Sequence, residues 1–334
     1  MLTSPAAKLV GLLLTAALAL ATGLASLALG ATEIAPAVLL EAFVAPDPSS
    51  TQHLILWTER LPRAAIAALV GASLAVAGAL MQTLTRNALA APSILGINAG
   101  AMCFVVLGST FFAIRSPLGL AWVAFLGALV AALLVALLGR ERRGGISPVR
   151  VVLAGVAVTA LFVSLAQGLL IIDQERFESL LLWLAGSVAG RELEMMTPLL
   201  PFFLFAAGVC LFLVRQLNLL VLEEEVVRGL GQRTGRVKLL AGTAIIMLAG
   251  GAVALAGMIG FVGLIVPHMV RALFGRDHRW VLPGCTLLGA GLLLGADTLA
   301  RFVIPPQEVP VGVMTALLGT PFFLHLARRR SLAP

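Results

Sequence analysis

The sequence predicts an all-α polytopic membrane protein of about ten transmembrane helices, and three observations predict it. First, 60% of its 334 residues are hydrophobic and only 12% are charged, where a soluble domain carries about 25% charged residues. Second, apolar runs of the roughly 20 residues needed to cross a hydrocarbon core recur along the chain, and mean hydropathy is +1.05. Third, proline punctuates many of the starts (Pro62, Pro92, Pro117, Pro148, Pro198, Pro283 and Pro310), where a helix loses nothing by a missing N–H. No polar stretch is long enough for a separate soluble domain, so 1–334 reads as a single transmembrane domain. The net charge of +7 invites a nucleic-acid reading. The basic residues instead gather in the loops of one side, as membrane topology demands, so the expected environment is membrane lipid, with no nucleic acid.

The first apolar run, Leu9 to Gly30, has a signal peptide as its competing reading. Lys8 would be the basic region and Ala28-Leu29-Gly30 the cleavage site. The run exceeds the roughly 7–15 apolar residues of a signal core and is long enough to span, which favours a retained first helix over 8–30. Further spans follow at 61–84, 92–113, 117–138, 149–172 and 196–214, then at 238–256, 259–274, 282–303 and 310–327.

The division of 238–274 decides the count. As one helix, about 36 apolar residues would be about 54 Å long, against a hydrocarbon core about 30 Å thick. Two helices are therefore expected, with Gly257, Gly260 and Gly263 supplying the flexible joint. Charge agrees. With ten spans and both termini inside, Lys8, Arg86, Arg140, Arg142, Arg143, Arg228, Arg233, Arg271 and Arg276 fall on the cytoplasmic side, with the Arg328-Arg329-Arg330 tail. Most acids fall outside. Nine spans would export the tail, against the positive-inside rule. A faint internal echo, Gly71–Gly78 against Gly251–Gly257, fits either an inverted repeat or the small-residue runs of any tightly packed membrane helix.

The motifs are longer and more ordered than composition alone requires. The stretch from Arg60 to Ala101, RLPRAAIAALVGASLAVAGALMQTLTRNALAAPSILGINAGA, joins a charged collar, a span, a polar turn and a second span. Later come Gly257-Met-Ile-Gly-Phe-Val-Gly-Leu-Ile-Val-Pro-His268-Met-Val-Arg271, Asp277-His278-Arg279, Gly295-Ala-Asp297, Glu308-Val-Pro310-Val-Gly312 and Gly319-Thr-Pro321. Together these resemble the permease subunit of type II ABC importers for iron chelates, haem and cobalamin. The likeness covers most of the chain from residue 57 onward. One departure is local: Ala88 stands where the family usually has proline.

The resemblance implies a ten-span permease acting as a homodimer. Its implied partners are two ABC ATPase subunits and a periplasmic or lipid-anchored substrate-binding protein. The implied cargo is an iron chelate, with haem or cobalamin as the alternative. Arg60, Arg63 and Arg301 are expected outside, against the charge bias. They are either interfacial arginines snorkelling to headgroups or a docking collar, since the guanidinium fork binds carboxylates bidentately; family likeness favours docking. Asp297 lies four residues before Arg301, the spacing of a helical ion pair. The polar segment 222–235 is either a solvated loop or, by likeness to the coupling loop of ABC permeases, the element that engages the ATPase. There Glu224 would start a short helix and Gly231 would close it. Likeness also places a cytoplasmic gate at Asn87 and Ser147, and lines the pathway with spans five and ten.

No G-x-x-x-x-G-K-[ST] occurs, so the chain offers no P-loop of its own, and no catalytic motif of covalent chemistry occurs. A non-enzymatic transport subunit is expected, with no cofactor and no metal site. A lone intramembrane His268 is a functional hypothesis by default, but no ligand sits beside it at helical spacing. It reads as a structural hydrogen-bonding residue next to a break at Pro267. His53, His278 and His325 read as solvated, and Cys103, Cys210 and Cys285 as small core residues. A secondary transporter driven by an ion gradient is the competing class. It would want unpaired acids within spans, and Asp297 alone approaches that position.

Overall fold

The computed structural model describes residues 2, 4–30, 32–140, 148–172, 183–220 and 234–331. Among them the architecture is helical, with no β-strand. Helix α1 (Pro5–Ala28) begins where the Ser4 hydroxyl accepts the N–H of Ala7 at 3.1 Å, the usual N-cap device. Short α2 (Pro36–Val44) and α3 (Thr51–Ile55) lead into α4 (Leu61–Thr85) through a π turn over Leu56–Arg60. Next come a 3₁₀ turn, Pro92–Leu95, then α5 (Ile97–Phe111), α6 (Pro117–Leu138) and α7 (Pro148–Ile172). The second half holds α8 (Leu193–Met196), α9 (Leu200–Leu219), α10 (Thr234–Ala256), α11 (Val262–Phe274), α12 (His278–Ala300) and α13 (Val311–Ser331).

Two boundaries differ from expectation for physical reasons. The span expected to open at residue 61 is continuous from Thr51. Pro62 removes one backbone donor and crowds the preceding turn, and the π turn at Leu56–Arg60 accommodates it without ending the helix. The span expected from residue 92 starts as a helix only at Ile97, because Gly96 is left-handed at φ 70°.

The expected division of 238–274 is present. Helix α10 stops at Ala256, Gly257 turns left-handed at φ 73°, and Phe261 is also at positive φ before α11 begins. Pro267 is no break, since α11 runs straight through it. Proline at 267 deprives the carbonyl of Gly263 of its helical donor, and Gln82 Nε2 reaches that oxygen from α4 at 3.4 Å. Among the described residues, seven helices are long and apolar enough to cross a membrane; Ile97–Phe111, Val262–Phe274 and Val311–Leu324 are apolar but shorter.

Helix α4 is the axis of the bundle. It packs against α10, α11 and α12, while α5 packs on α6 and α7 and α1 lies along α12. Small residues make this possible, since helices in lipid associate by close packing rather than by expulsion of water. A Cβ at Gly71 would strike the carbonyl of Gly289 on α12, and one at Gly78 would land on the backbone of Gly263 on α11. Leu13, Leu14 and Leu20 of α1, Leu153 and Val156 of α7, and Leu204, Phe205, Leu211 and Phe212 of α9 stay on the surface. Cys103, Cys210 and Cys285 are free and buried.

Candidate functional site

Helix α4 carries polar residues at both ends, and its 25 residues separate them by about 37 Å. At one end lies an arginine collar. Asp297 on α12, 1% exposed, is the one buried carboxylate among the described residues. Arg63 grips it with Nε at 2.9 Å from Oδ2 and Nη2 at 2.8 Å from Oδ1, and sends Nη1 to Glu308 Oε2 at 2.7 Å. Arg301 Nη2 reaches Asp297 Oδ2 at 2.7 Å, so the pair expected from spacing forms. Asp297 is therefore the shared counter-ion of two arginines 238 residues apart in sequence (301 − 63). A buried carboxylate is tolerated when charge and hydrogen bonds both meet it.

Arg60 and Arg301 also grip the end of α1. Arg60, 6% exposed, donates Nη1 to the carbonyls of Leu27 and Ala28, both at 2.7 Å, and Nη2 to that of Thr32. Arg301, 8% exposed, donates Nη1 to the carbonyls of Ser26 and Leu29 at 2.8 Å and Nη2 to Ser26 Oγ at 2.9 Å. A helix C-terminus leaves carbonyls without donors and carries partial negative charge. Two guanidinium groups answer both features. The sequence showed which arginines were unusual; their engagement with α1 had no signal in it, because main-chain carbonyls carry no sequence identity.

Arg60, Arg63 and Arg301 line one cleft of about 490 Å³ with Arg191, Glu59, Glu192 and Glu308. Arg191 was not singled out in the sequence. It follows Gly190, at φ 65°, in the loop before α8. That loop is anchored by Ser187 N donating to Ala256 O at 2.8 Å and by Gly312 N donating to Gly186 O at 3.0 Å. Burial pulls the Arg191 guanidinium below its ordinary range, and its Nε, like that of Arg301, is shut off from solvent with no hydrogen-bond partner among the described residues.

The opposite end of α4 holds a second cleft, of about 520 Å³, lined by Gln82, Arg86, Asn87, His268, Arg271 and Arg276 among others. Arg86 closes α4 in a left-handed conformation at φ 51°. Asn87 Oδ1 accepts the N–H of Leu89 at 2.9 Å and its carbonyl accepts the N–H of Ala90 at 3.1 Å. This Asx-type turn shapes the chain where the usual proline is replaced by Ala88. Arg271 donates to Gln82 Oε1 and, at 3.2 Å, to the carbonyl of Ala79. His268 stacks edge-on with Phe322 at 6.3 Å.

Two histidines depart from expectation. His278, 1% exposed, is no solvated residue. Asn218 Nδ2 donates to Asp277 Oδ1 at 2.7 Å, which makes Asn218 Oδ1 the acceptor for both the His278 N–H and Nδ1, each at 2.8 Å. The Thr83 hydroxyl lies 2.8 Å from Nε2. His53 is buried as well, its Nδ1 accepting the N–H of Asp47 at 3.0 Å. Both positions look like loop residues in sequence because the contacts that enclose them come from distant segments. Glu224, Gly231 and Ser147 lie outside the described residues, as do the first twelve residues of the 222–235 segment.

The profile of the FecCD transport family matches residues 18–329. The Bacillus subtilis protein named "Probable siderophore transport system permease protein YfiZ" is 51% identical over 280 residues, covering 84% of each chain. The ferric enterobactin transport system permease protein FepD of Escherichia coli is 43% identical over 321 residues, covering 96% of this chain and 95% of its own. A solved inward-facing structure of a metal-chelate type ABC transporter superposes with a TM-score of 0.84 at 31% identity, covering 95% of this chain and 98% of that one. With a family match over nearly its whole length and relatives this similar, the chain belongs to the FecCD transport family, as a multi-pass permease subunit of the ABC transporter class.

Proposed function

We propose that the chain is the permease of an ATP-driven importer that carries a ferric chelate of the siderophore class across the cytoplasmic membrane. The observation that supports this most is 51% identity to a siderophore-system permease across 84% of both chains. Relatives named for ferric hydroxamate and ferric citrate point the same way, and favour an iron chelate over haem or cobalamin. In this reading the chain crosses the membrane ten times; seven long apolar helices and three shorter ones among the described residues support it. Both termini lie in the cytoplasm, two copies pair, and the pathway runs between them along α7 and α13. Exposed Leu153, Val156 and Leu161 on α7 and Val313 and Leu317 on α13 supply apolar faces for that pairing.

The arginine cleft of Arg60, Arg63 and Arg301 is the docking floor for a loaded binding protein. The 222–235 segment, with Glu224 and Gly231, couples to two ATPase subunits, and Asn87 and Ser147 belong to the inner gate. An ion-gradient mechanism fits less well. Proton or sodium coupling needs an acid free to change state, and Asp297 is held by two arginines. The test is assembly with the ATPase. The permease should co-purify with it as a two-plus-two complex whose ATP hydrolysis rises when loaded binding protein is added. A bulky Gly231→Trp variant should hydrolyse ATP without that stimulation. A permease that never forms the complex, or a variant stimulated like wild type, contradicts the corresponding assignment.

A further inference from the structure

A smaller cleft, of about 110 Å³, lies inside the bundle near the Arg86 end of α4. Met81 and Leu84 of α4, Leu95 of the 3₁₀ turn, Val151 of α7, and Ile245 and Ile246 of α10 supply its walls. It is too small and too apolar for a ferric chelate. Water suits it poorly as well. A bound water needs about two to four polar partners, and the described lining offers polar side chains only from Lys238 and Thr85. The Thr85 hydroxyl already donates to the carbonyl of Met81 at 2.7 Å.

The shape suits a hydrocarbon chain. The lining follows α10 from Lys238 to Ile246, a rise of about 12 Å. Gly242 lies midway, and a Cβ there would meet nothing within 4 Å among the described residues. Helices in lipid are held together by close packing, and an apolar space without a filler forfeits dispersion contacts. An acyl chain is the filler a bilayer offers. Access is open: Ala136 of α6 lines the cleft and is exposed, as are Leu137 beside it and Leu239 on α10.

Charge selects the headgroup. Lys238 is the one charged residue of the described lining, and no carboxylate shares it. Its ammonium is a compact point charge on an apolar stem that can lie along the cleft wall. Basic pockets between helices on the cytoplasmic side attract anionic headgroups, and this is the cytoplasmic end in the orientation proposed above. A zwitterionic headgroup brings its own cation to the same place and gains less.

We propose that this cleft is a lipid site, which seats one acyl chain of an anionic phospholipid from the cytoplasmic leaflet with the headgroup phosphate at Lys238. Its walls join α4, which ends at the Asn87 turn, to α10, which follows the 222–235 segment, so a seated chain touches both.

The test is photolabelling of the full permease–ATPase complex in nanodiscs. The probes are phosphatidylglycerol and phosphatidylcholine, each with a diazirine in mid-chain, and labelled peptides are mapped by mass spectrometry. Wild type should be labelled within residues 81–85 and 242–246, about fivefold more by phosphatidylglycerol than by phosphatidylcholine. Gly242→Leu fills the cleft from α10 and should lose this labelling, while peptides with exposed Leu211 stay labelled. Ala136→Leu fills it from α6 with the same result, and decides the matter should Gly242→Leu not fold. Lys238→Gln should keep the chain labelling and bring the two lipids level. Wild type unlabelled at those residues overturns the proposal, as does labelling that survives in either folded filling variant. Equal labelling of wild type by the two lipids overturns the assignment of the phosphate to Lys238. A disulfide between two copies of the Leu239→Cys variant assigns this surface to a second copy of the chain and also overturns it.

Discussion

The two ends of α4 solve the same problem by different chemistry. At the collar end, buried charge is matched by charge: Asp297 meets Arg63 and Arg301, and α1 is pinned by Arg60 and Arg301. At the other end, the fully buried polar side chains, Gln82, Thr83 and His278, form no carboxylate–arginine pair among the described residues. Thr83, His278 and Asn218 form a chain of hydrogen bonds, and Arg271 rests on the amide of Gln82. A charge pair is strongly destabilised when one partner is removed, because the other stays buried and unmatched. A neutral hydrogen bond loses far less. The collar end is accordingly built to stay assembled, while the opposite end can exchange partners at smaller cost, which is what the proposed inner gate requires.

Four substitutions separate the ends, in descending order of expected effect. Asp297→Ala takes the shared carboxylate from the buried Arg301 and the partly buried Arg63 and should lower unfolding stability by about 3–5 kcal/mol, read as a shift in the denaturation midpoint of the purified permease; wild-type stability would mean the collar is not held by this carboxylate. Arg60→Ala removes two bonds to the end of α1 and one to Thr32 beyond it and should lose about 2–3 kcal/mol, with faster proteolysis near residues 26–35. His278→Ala should lose about 1–2 kcal/mol in the same denaturation assay. A loss equal to that of Asp297→Ala would erase the contrast between the ends. Asn87→Ala removes one turn hydrogen bond and should lose only about 0.5–1 kcal/mol, while changing the iron-uptake rate more than its stability effect explains. An unchanged uptake rate would remove Asn87 from the gate.

Much of the fold was legible because membrane helices announce themselves by length and by the proline and glycine that bound them. The joint between α10 and α11 followed from one comparison of helix length with bilayer thickness, and the Asp297–Arg301 pair from helical spacing alone. What was not legible came from long-range contacts. Asp297 had a visible neighbour in Arg301 but no sign of Arg63. Arg60 gave no hint that its partners were carbonyls of α1. His278 looked like a loop residue until Asn218 and Thr83 enclosed it. Arg191 gave no sequence signal because what sets it apart, a lack of hydrogen-bond partners among the described residues, is defined only by the folded arrangement. Pro267 was misread as a break for the same reason: Gln82, distant in sequence, meets the carbonyl that the proline leaves bare.

In the proposed function ATP, acting through partner subunits, drives a ferric chelate through this permease. The most direct measurement is uptake of radiolabelled ferric citrate and ferric hydroxamate into proteoliposomes that hold the permease with its ATPase, with loaded binding protein outside and ATP inside. Uptake should require ATP and the binding protein, stop when the ATPase is inactivated by substitution of its P-loop lysine, and ignore an imposed proton or sodium gradient. Uptake that persists with the inactive ATPase and follows the ion gradient would contradict the account.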